Sequence, residues 1–288
     1  MTTLRVRDLT PAFGSEVEGF DPATVMDPGI VRELGDLFDE RALLLFRGSQ
    51  IDHEFQVALV ETLIDRLMSF EDGRERSFSS CISNQRAGGI APFGRLQFHS
   101  DAAWCEQPTR VVSLYADEIQ PPAVPTLFTS TTLAWETLPP DLKDHVDRLS
   151  CVQVTGQVER GKDAEELLQF VRENTYSTTT PVGRVHPLTG RRMLSVNPMT
   201  TAAIVELAAA ESEQLLEELF AYLGTDQNLW RHEWRNHDLV VWDNLAVLHA
   251  RPNVTDDGPV RTLYKTSAPT MPPEFEAPTY AYAQGDGA

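Results

Sequence analysis

A chain of 288 residues with 41% hydrophobic side chains is long enough to bury most of its apolar surface without disulfides or metal staples, and it suits one large domain as well as two small ones. A formal charge of −19 argues against a nucleic-acid partner, because phosphate binding needs clustered Lys and Arg. The same charge repels an anionic membrane surface and supports solubility.

In chain order, residues 4–20 alternate loosely and run into the turn residues Gly19-Phe20-Asp21-Pro22, which predicts a short strand entering a turn. Asp27-Pro28 has the form of an N-cap followed by proline at N1. Ile30, Val31, Leu34, Leu37 and Phe38 then recur at helical spacing to about Glu40. Ala42-Leu43-Leu44-Leu45-Phe46 is wholly apolar, as a central strand covered on both faces must be. Asp52 caps a second helix to about Leu67. Residues 71–94, rich in charge, serine and glycine, read as a long irregular loop and a candidate lid.

Beyond Phe98-His99-Ser100-Asp101, the run Arg110–Ala116 predicts a strand and Thr126–Phe128 another. Helices are expected near 130–137, 140–149 and 163–173. A hairpin is expected over Gly183–Leu194, with its turn at Thr189-Gly190. Ala210–Leu223 is a helix stopped by Gly224, and short strands follow at Leu229–Trp234, Leu239–Trp242, Ala246–His249 and Arg261–Thr266. No linker separates two cores, so a single domain is expected over 1–268, with a loosely held tail over 269–288. Many short strands with a few helices imply an α+β, mainly β architecture: a sandwich or jelly roll with peripheral helices.

Cys81, Cys105 and Cys151 are too few and scattered for a disulfide framework or a zinc motif and suit reduced, cytoplasmic thiols. The N-terminus lacks the apolar region of a signal peptide, and no run of about 18 apolar residues occurs. Neither a secretory signal nor a membrane span is therefore expected. A homo-oligomer is compatible with the sequence.

The chemistry centres on His99 and Asp101. On an extended strand they share a face while Ser100 points away. His249, 148 positions beyond Asp101, follows a strand-like run. Two His and one carboxylate on one face of an octahedron leave positions open for a chelating cosubstrate and O₂, as non-haem Fe(II) oxygenases require. A lone His-x-Asp is equally what a hydrogen-bonded surface pair leaves. A jelly roll, by setting distant strands side by side, offers a way for His249 to reach the other two.

The chain resembles the TauD/TfdA family of Fe(II)- and 2-oxoglutarate-dependent dioxygenases. The likeness runs through Ala42–Gly48, His99-Ser100-Asp101, Thr126, His186-Pro187-Leu188-Thr189-Gly190-Arg191, Val196-Asn197, Trp242-Asp243-Asn244 ahead of His249, and Arg261. The resemblance implies a double-stranded β-helix. It also implies oxidation, most simply hydroxylation, of a C–H bond in a small organic substrate by O₂, coupled to decarboxylation of 2-oxoglutarate to succinate and CO₂. It implies His99, Asp101 and His249 as iron ligands, and Arg261 as the clamp on the distal carboxylate of 2-oxoglutarate, where a planar guanidinium fork fits. Thr126 would add a hydroxyl there, although Ala123-Val124-Pro125 replaces the family's usual Gly-Gly-Asp before it. Family members acting on sulfonates or phenoxyacetates carry arginine where this chain has Lys265. That change argues against taurine or a phenoxyacetate as substrate, since an ammonium cannot copy a bidentate contact. Trp104, Arg95 and Lys265 are the candidate substrate contacts.

Two other readings compete. A non-catalytic jelly-roll binding module with a structural metal would show a closed coordination shell. A zinc hydrolase on the same ligands would need a general base such as Glu106 and would be indifferent to O₂.

Overall fold

Leu43, Leu44, Leu45 and Phe46 are all fully buried, and the reason lies in what covers each side of their strand. In the computed structural model, which describes residues 4–24, 27–67, 75–160 and 176–269 with positions 166, 169 and 173, this strand lies inside a seven-stranded sheet. Alternate side chains project to opposite faces. Leu44 and Phe46 meet two helices, α1 (Pro28–Arg41) and α2 (His53–Asp65), while Leu43 and Leu45 enter the space between this sheet and a second one. The helices begin where capping chemistry starts them. The Asp27 carboxylate accepts from Gly29 and Ile30 N–H ahead of Pro28, and Asp52 accepts from Phe55 N–H.

The first half contributes β1 (Arg5–Asp8), β2 (Ser15–Glu18), β3 (Leu43–Phe46), β4 (Phe78–Ser83), β5 (Gly94–His99), β6 (Val111–Ile119) and β7 (Thr126–Ser130). Short helices α3 (Thr131–Thr137) and α4 (Pro140–Val146) follow. Then come β8 (Ser150–Val154), β9 (Ser177–Pro181), β10 (Gly183–Val185), β11 (Arg192–Leu194), β12 (Thr201–Ile204) and α5 (Ala209–Leu223). The chain closes with β13 (Leu229–His232), β14 (Leu239–Asp243), β15 (Val247–Val254) and β16 (Arg261–Ala268). The large sheet has the order β1-β2-β3-β14-β6-β16-β4 and the smaller one β13-β7-β15-β5. Phe128 and Val247 of the smaller sheet join Val112, Leu114, Val240, Trp242 and Leu263 of the larger in one core. Leu248, one residue out of phase, packs outward against α3 and α5. The architecture is thus mostly β with a few peripheral helices.

Most of the expected elements lie where periodicity put them. Residues 71–94 are a correction: within them Phe78–Ser83 forms β4, paired with β16 from Ser83↔Thr262 to Phe78↔Ser267. Its sequence, Phe-Ser-Ser-Cys-Ile-Ser, sits on a sheet edge and lacks apolar alternation, so no strand signal was available. Strands β8, β9 and β12, a small separate sheet with β8 at its centre, were not expected either. The helix expected over 163–173 falls largely outside the described residues, though Glu166, Gln169 and Glu173 are helical. Residues 270–288 of the expected tail also lie outside them. Among the described residues no helix is long and apolar enough to cross a membrane.

Candidate metal centre

His249 on β15 stands directly opposite His99 on β5 in an antiparallel pairing, and their ring centroids are 4.1 Å apart. Alternation puts His249 on the same inward face as Val247. One ligand atom from each of His99, Asp101 and His249 can be chosen so that all lie within 4.8 Å of one another. His99 Nε2 is 3.8 Å from Asp101 Oδ1. His99 Nδ1 donates to the Gln97 carbonyl at 2.8 Å, which fixes the tautomer and leaves the Nε2 lone pair for a metal. His249 Nδ1 is buried and meets no hydrogen-bond partner among the described residues.

The convergence differs in detail from a simple strand. β5 ends at His99, and Asp101 begins a turn in which Ala102 takes the left-handed conformation (φ 54°). Ser100 does point away, donating to the Asn244 carbonyl at 2.5 Å. Asn244 is fully buried. Its side chain accepts from Asp101 N–H at 3.0 Å and donates to the Asp101 carbonyl at 2.8 Å and the Thr109 carbonyl at 2.9 Å. One amide therefore ties the turn carrying the carboxylate to the turn that launches β15 and its histidine.

Burial pushes the Asp101 carboxyl toward the neutral form, but the Lys265 ammonium outweighs it and holds the group well below the usual carboxylate range. Lys265 Nζ lies 2.7 Å from Asp101 Oδ2. Burial also depresses both histidines, and His249 is lowered further by His99. The trio is therefore one carboxylate and two neutral imidazoles, the protonation states a divalent metal requires.

Arg261 and Lys265 lie four residues apart on β16, both directed between the sheets. Arg261 is 3% exposed. It donates from Nε to the Val124 carbonyl at 2.8 Å and from Nη2 to Thr126 Oγ1 at 3.0 Å, and it meets no carboxylate among the described residues. Burial, with the Arg251 cation nearby, pushes its pKa down to about 9. A buried guanidinium beside a second buried cation is a place prepared for an anion. Arg251 itself grips the carbonyls of Ala91, Phe93 and Gly94.

The remaining candidates divide. Trp104 is buried and stacks on Tyr176 at 5.5 Å between centroids. Arg95 is exposed on β5, and Glu106 is exposed in the loop after Asp101. His186 is buried: its Nδ1 accepts from Leu188 and Thr189 N–H, so Nε2 carries the proton and donates to Asp243 Oδ2 at 2.9 Å. Asn244, Asp243 and Trp234 were not singled out as site residues by sequence reading. The motif Trp242-Asp243-Asn244 was the only available sign of the first two.

Two imidazoles and a carboxylate converging between two β-sheets are the residue types of a mononuclear non-haem iron centre. The chain belongs to the taurine catabolism dioxygenase TauD, TfdA family, whose model matches residues 5–267. It is accordingly a 2-oxoglutarate-dependent dioxygenase using Fe(II) and 2-oxoglutarate. Pentalenolactone F synthase from Streptomyces avermitilis is 27% identical over 278 residues, covering 86% of this chain and 89% of that one. The alpha-ketoglutarate-dependent 2,4-dichlorophenoxyacetate dioxygenase of Cupriavidus pinatubonensis is 27% identical over 258 residues, covering 84% and 89%. A solved taurine dioxygenase from Burkholderia xenovorans superimposes with a TM-score of 0.72 at 26% identity, covering 93% of this chain and 91% of that one.

Proposed function

We propose that His99, Asp101 and His249 hold the ferrous ion, that Arg261 and Thr126 hold the distal carboxylate of 2-oxoglutarate, and that the enzyme hydroxylates a C–H bond of a small organic substrate with release of succinate and CO₂. The carrying observation is the facing pair His99 and His249 with Asp101 beside it. The two sheets around them read as a double-stranded β-helix, with residues 1–268 as one oxygenase domain.

Bound iron and 2-oxoglutarate supply the activation of O₂. The protein's residues do the rest. Lys265 keeps Asp101 ionised, so no proton competes with a metal for the carboxylate. Gln97 fixes the His99 ring, and Asn244 fixes the Asp101 backbone. Arg261, with no described carboxylate partner, accepts an anionic cosubstrate without breaking an existing ion pair. Lys265, Trp104 and Arg95 are proposed to meet the substrate, Lys265 favouring an acidic or strongly polar group. The carboxylate ligand Asp101 favours hydroxylation over halide transfer, which needs that coordination position vacated.

Anaerobic titration with Fe(II) and then 2-oxoglutarate tests the assignment. A visible metal-to-ligand charge-transfer band is expected, and it should vanish in His249→Ala. A folded protein that binds Fe(II) without developing the band on adding 2-oxoglutarate would overturn the reading. Screening small carboxylates, amino acids and sulfonates for substrate-stimulated succinate release then identifies the substrate class.

A further inference from the structure

Two donors converge on one hydroxyl. The Trp234 indole N–H donates to Thr126 Oγ1 at 3.0 Å, and Arg261 Nη2 donates to the same atom at 3.0 Å. A threonine hydroxyl has two acceptor lone pairs and one proton. With both lone pairs engaged, the proton has only the remaining direction around the oxygen. Among the described residues nothing accepts it. Thr126 is 2% exposed, and a buried donor left without an acceptor is costly, so this proton is waiting for a partner that the protein alone does not supply.

We propose that Trp234 is a positioning residue for the cosubstrate: by occupying one lone pair of Thr126 it aims the hydroxyl proton at the distal carboxylate of 2-oxoglutarate beside Arg261. This rests on Thr126 and Arg261 forming that carboxylate's site. Trp234 is suited to hold the direction. It is 4% exposed, belongs to the core between the sheets, and lies edge-on to His232 with centroids 4.4 Å apart and an 87° interplanar angle. A tryptophan so packed presents one N–H along one line. Without that N–H the hydroxyl regains a free lone pair and samples orientations that do not serve the carboxylate. Thr126 stands on β7 opposite His232 of β13, so Trp234 reaches it from just beyond the neighbouring strand.

The test compares two 2-oxo acids of equal length: 2-oxoglutarate, and 2-oxopentanoate, which has a methyl group where the distal carboxylate would be. Dissociation constants come from the charge-transfer band of the Fe(II)-loaded, anaerobic enzyme. Trp234→Phe is expected to weaken 2-oxoglutarate roughly tenfold, the scale of one hydrogen bond to a charged group, and to leave 2-oxopentanoate unchanged. Thr126→Val should lose a similar factor, and the double variant should bind no more weakly than Thr126→Val. If Trp234→Phe packs poorly, 3-benzothienylalanine at position 234 keeps the ring shape and removes only the N–H. Unchanged 2-oxoglutarate affinity, or equal weakening of both acids, overturns the role of Trp234. Should Arg261→Met and Thr126→Val also leave 2-oxoglutarate affinity intact, the carboxylate site itself is misplaced. That outcome is distinct from one in which they weaken binding and Trp234→Phe does not.

Discussion

Asn244 holds the backbone of Asp101 from both sides, accepting from its N–H at 3.0 Å and donating to its carbonyl at 2.8 Å. The carboxylate is thereby positioned from its peptide, while its Oδ2 is paired with Lys265. Asn244→Ala removes these bonds and the one to Thr109, and strands buried polar groups. The expected cost is about 2–4 kcal/mol of stability, with a 10- to 100-fold loss of Fe(II) affinity, the usual effect of disturbing a ligand's support. Denaturant unfolding and chelator competition measure the two separately. Lost stability with undiminished Fe(II) affinity would reduce Asn244 to a packing residue.

Lys265 separates two functions. Its ammonium pairs with Asp101 but also places a positive charge beside a cation site. Lys265→Met removes both the charge that keeps Asp101 ionised and the charge that repels a cation, so Fe(II) affinity at neutral pH should change little while the substrate KM rises roughly tenfold, the scale of one lost charged hydrogen bond. Steady-state kinetics beside metal titration decide it. Weaker Fe(II) binding with an unaltered KM would show that Lys265 aligns the carboxylate and does not meet substrate.

The His186–Asp243 pair lies away from the metal but directly before Asn244. Asp243 also accepts from Leu245 and Ala246 N–H, shaping the turn into β15. Losing His186 takes one buried hydrogen-bond donor from Asp243, so His186→Leu should destabilise by about 1–3 kcal/mol. Urea unfolding measures this. A loss below 1 kcal/mol would mean that Arg110, 4.0 Å from Asp243, suffices alone.

A pH dependence of stability follows from His232. Burial lowers its pKa below the ordinary 6.5 despite Asp238 at 3.2 Å, so the folded protein holds it neutral. The unfolded chain takes up a proton below about pH 6.5 that the folded chain refuses. Its neutral burial costs nothing above that pH, and stability falls as pH drops through 6.5 toward the lowered folded value. The slope reaches at most about 1.4 kcal/mol per pH unit. His232→Phe should flatten the slope below pH 6.5 by up to that amount, as read from unfolding midpoints across the range. An unchanged slope removes His232 as its source.

Much of the frame and the choice of His99, Asp101 and His249 as a converging trio could be read from residues alone, for definite physical reasons. The wholly apolar Leu43–Phe46 had to be covered on both faces, and it is. His99, Asp101 and His249 carry chemistry by residue type, so a motif exposes them. Strand β4 remained hidden because an edge strand need not alternate apolar and polar residues. The turn at Asp101 stayed hidden too, because Ala102 is an unusual residue for a left-handed conformation. Asn244 and Trp234 act through hydrogen bonds to groups 143 and 108 positions away, and such partnerships leave no local pattern.

Strands β7 and β13 are hydrogen-bonded neighbours, yet the whole stretch from Thr131 to Asn228 lies between them in the chain. That stretch departs and returns at adjacent rungs, like an attachment clipped to two neighbouring slats. Its outer loops can change in length without moving either slat, provided that His186 keeps Asp243 and the faces of α3 and α5 stay packed on Leu248. Changes confined to those loops leave the register of β7 and β13 alone, whereas a single residue added between Val247 and His249 would turn the proposed iron ligand to the other face.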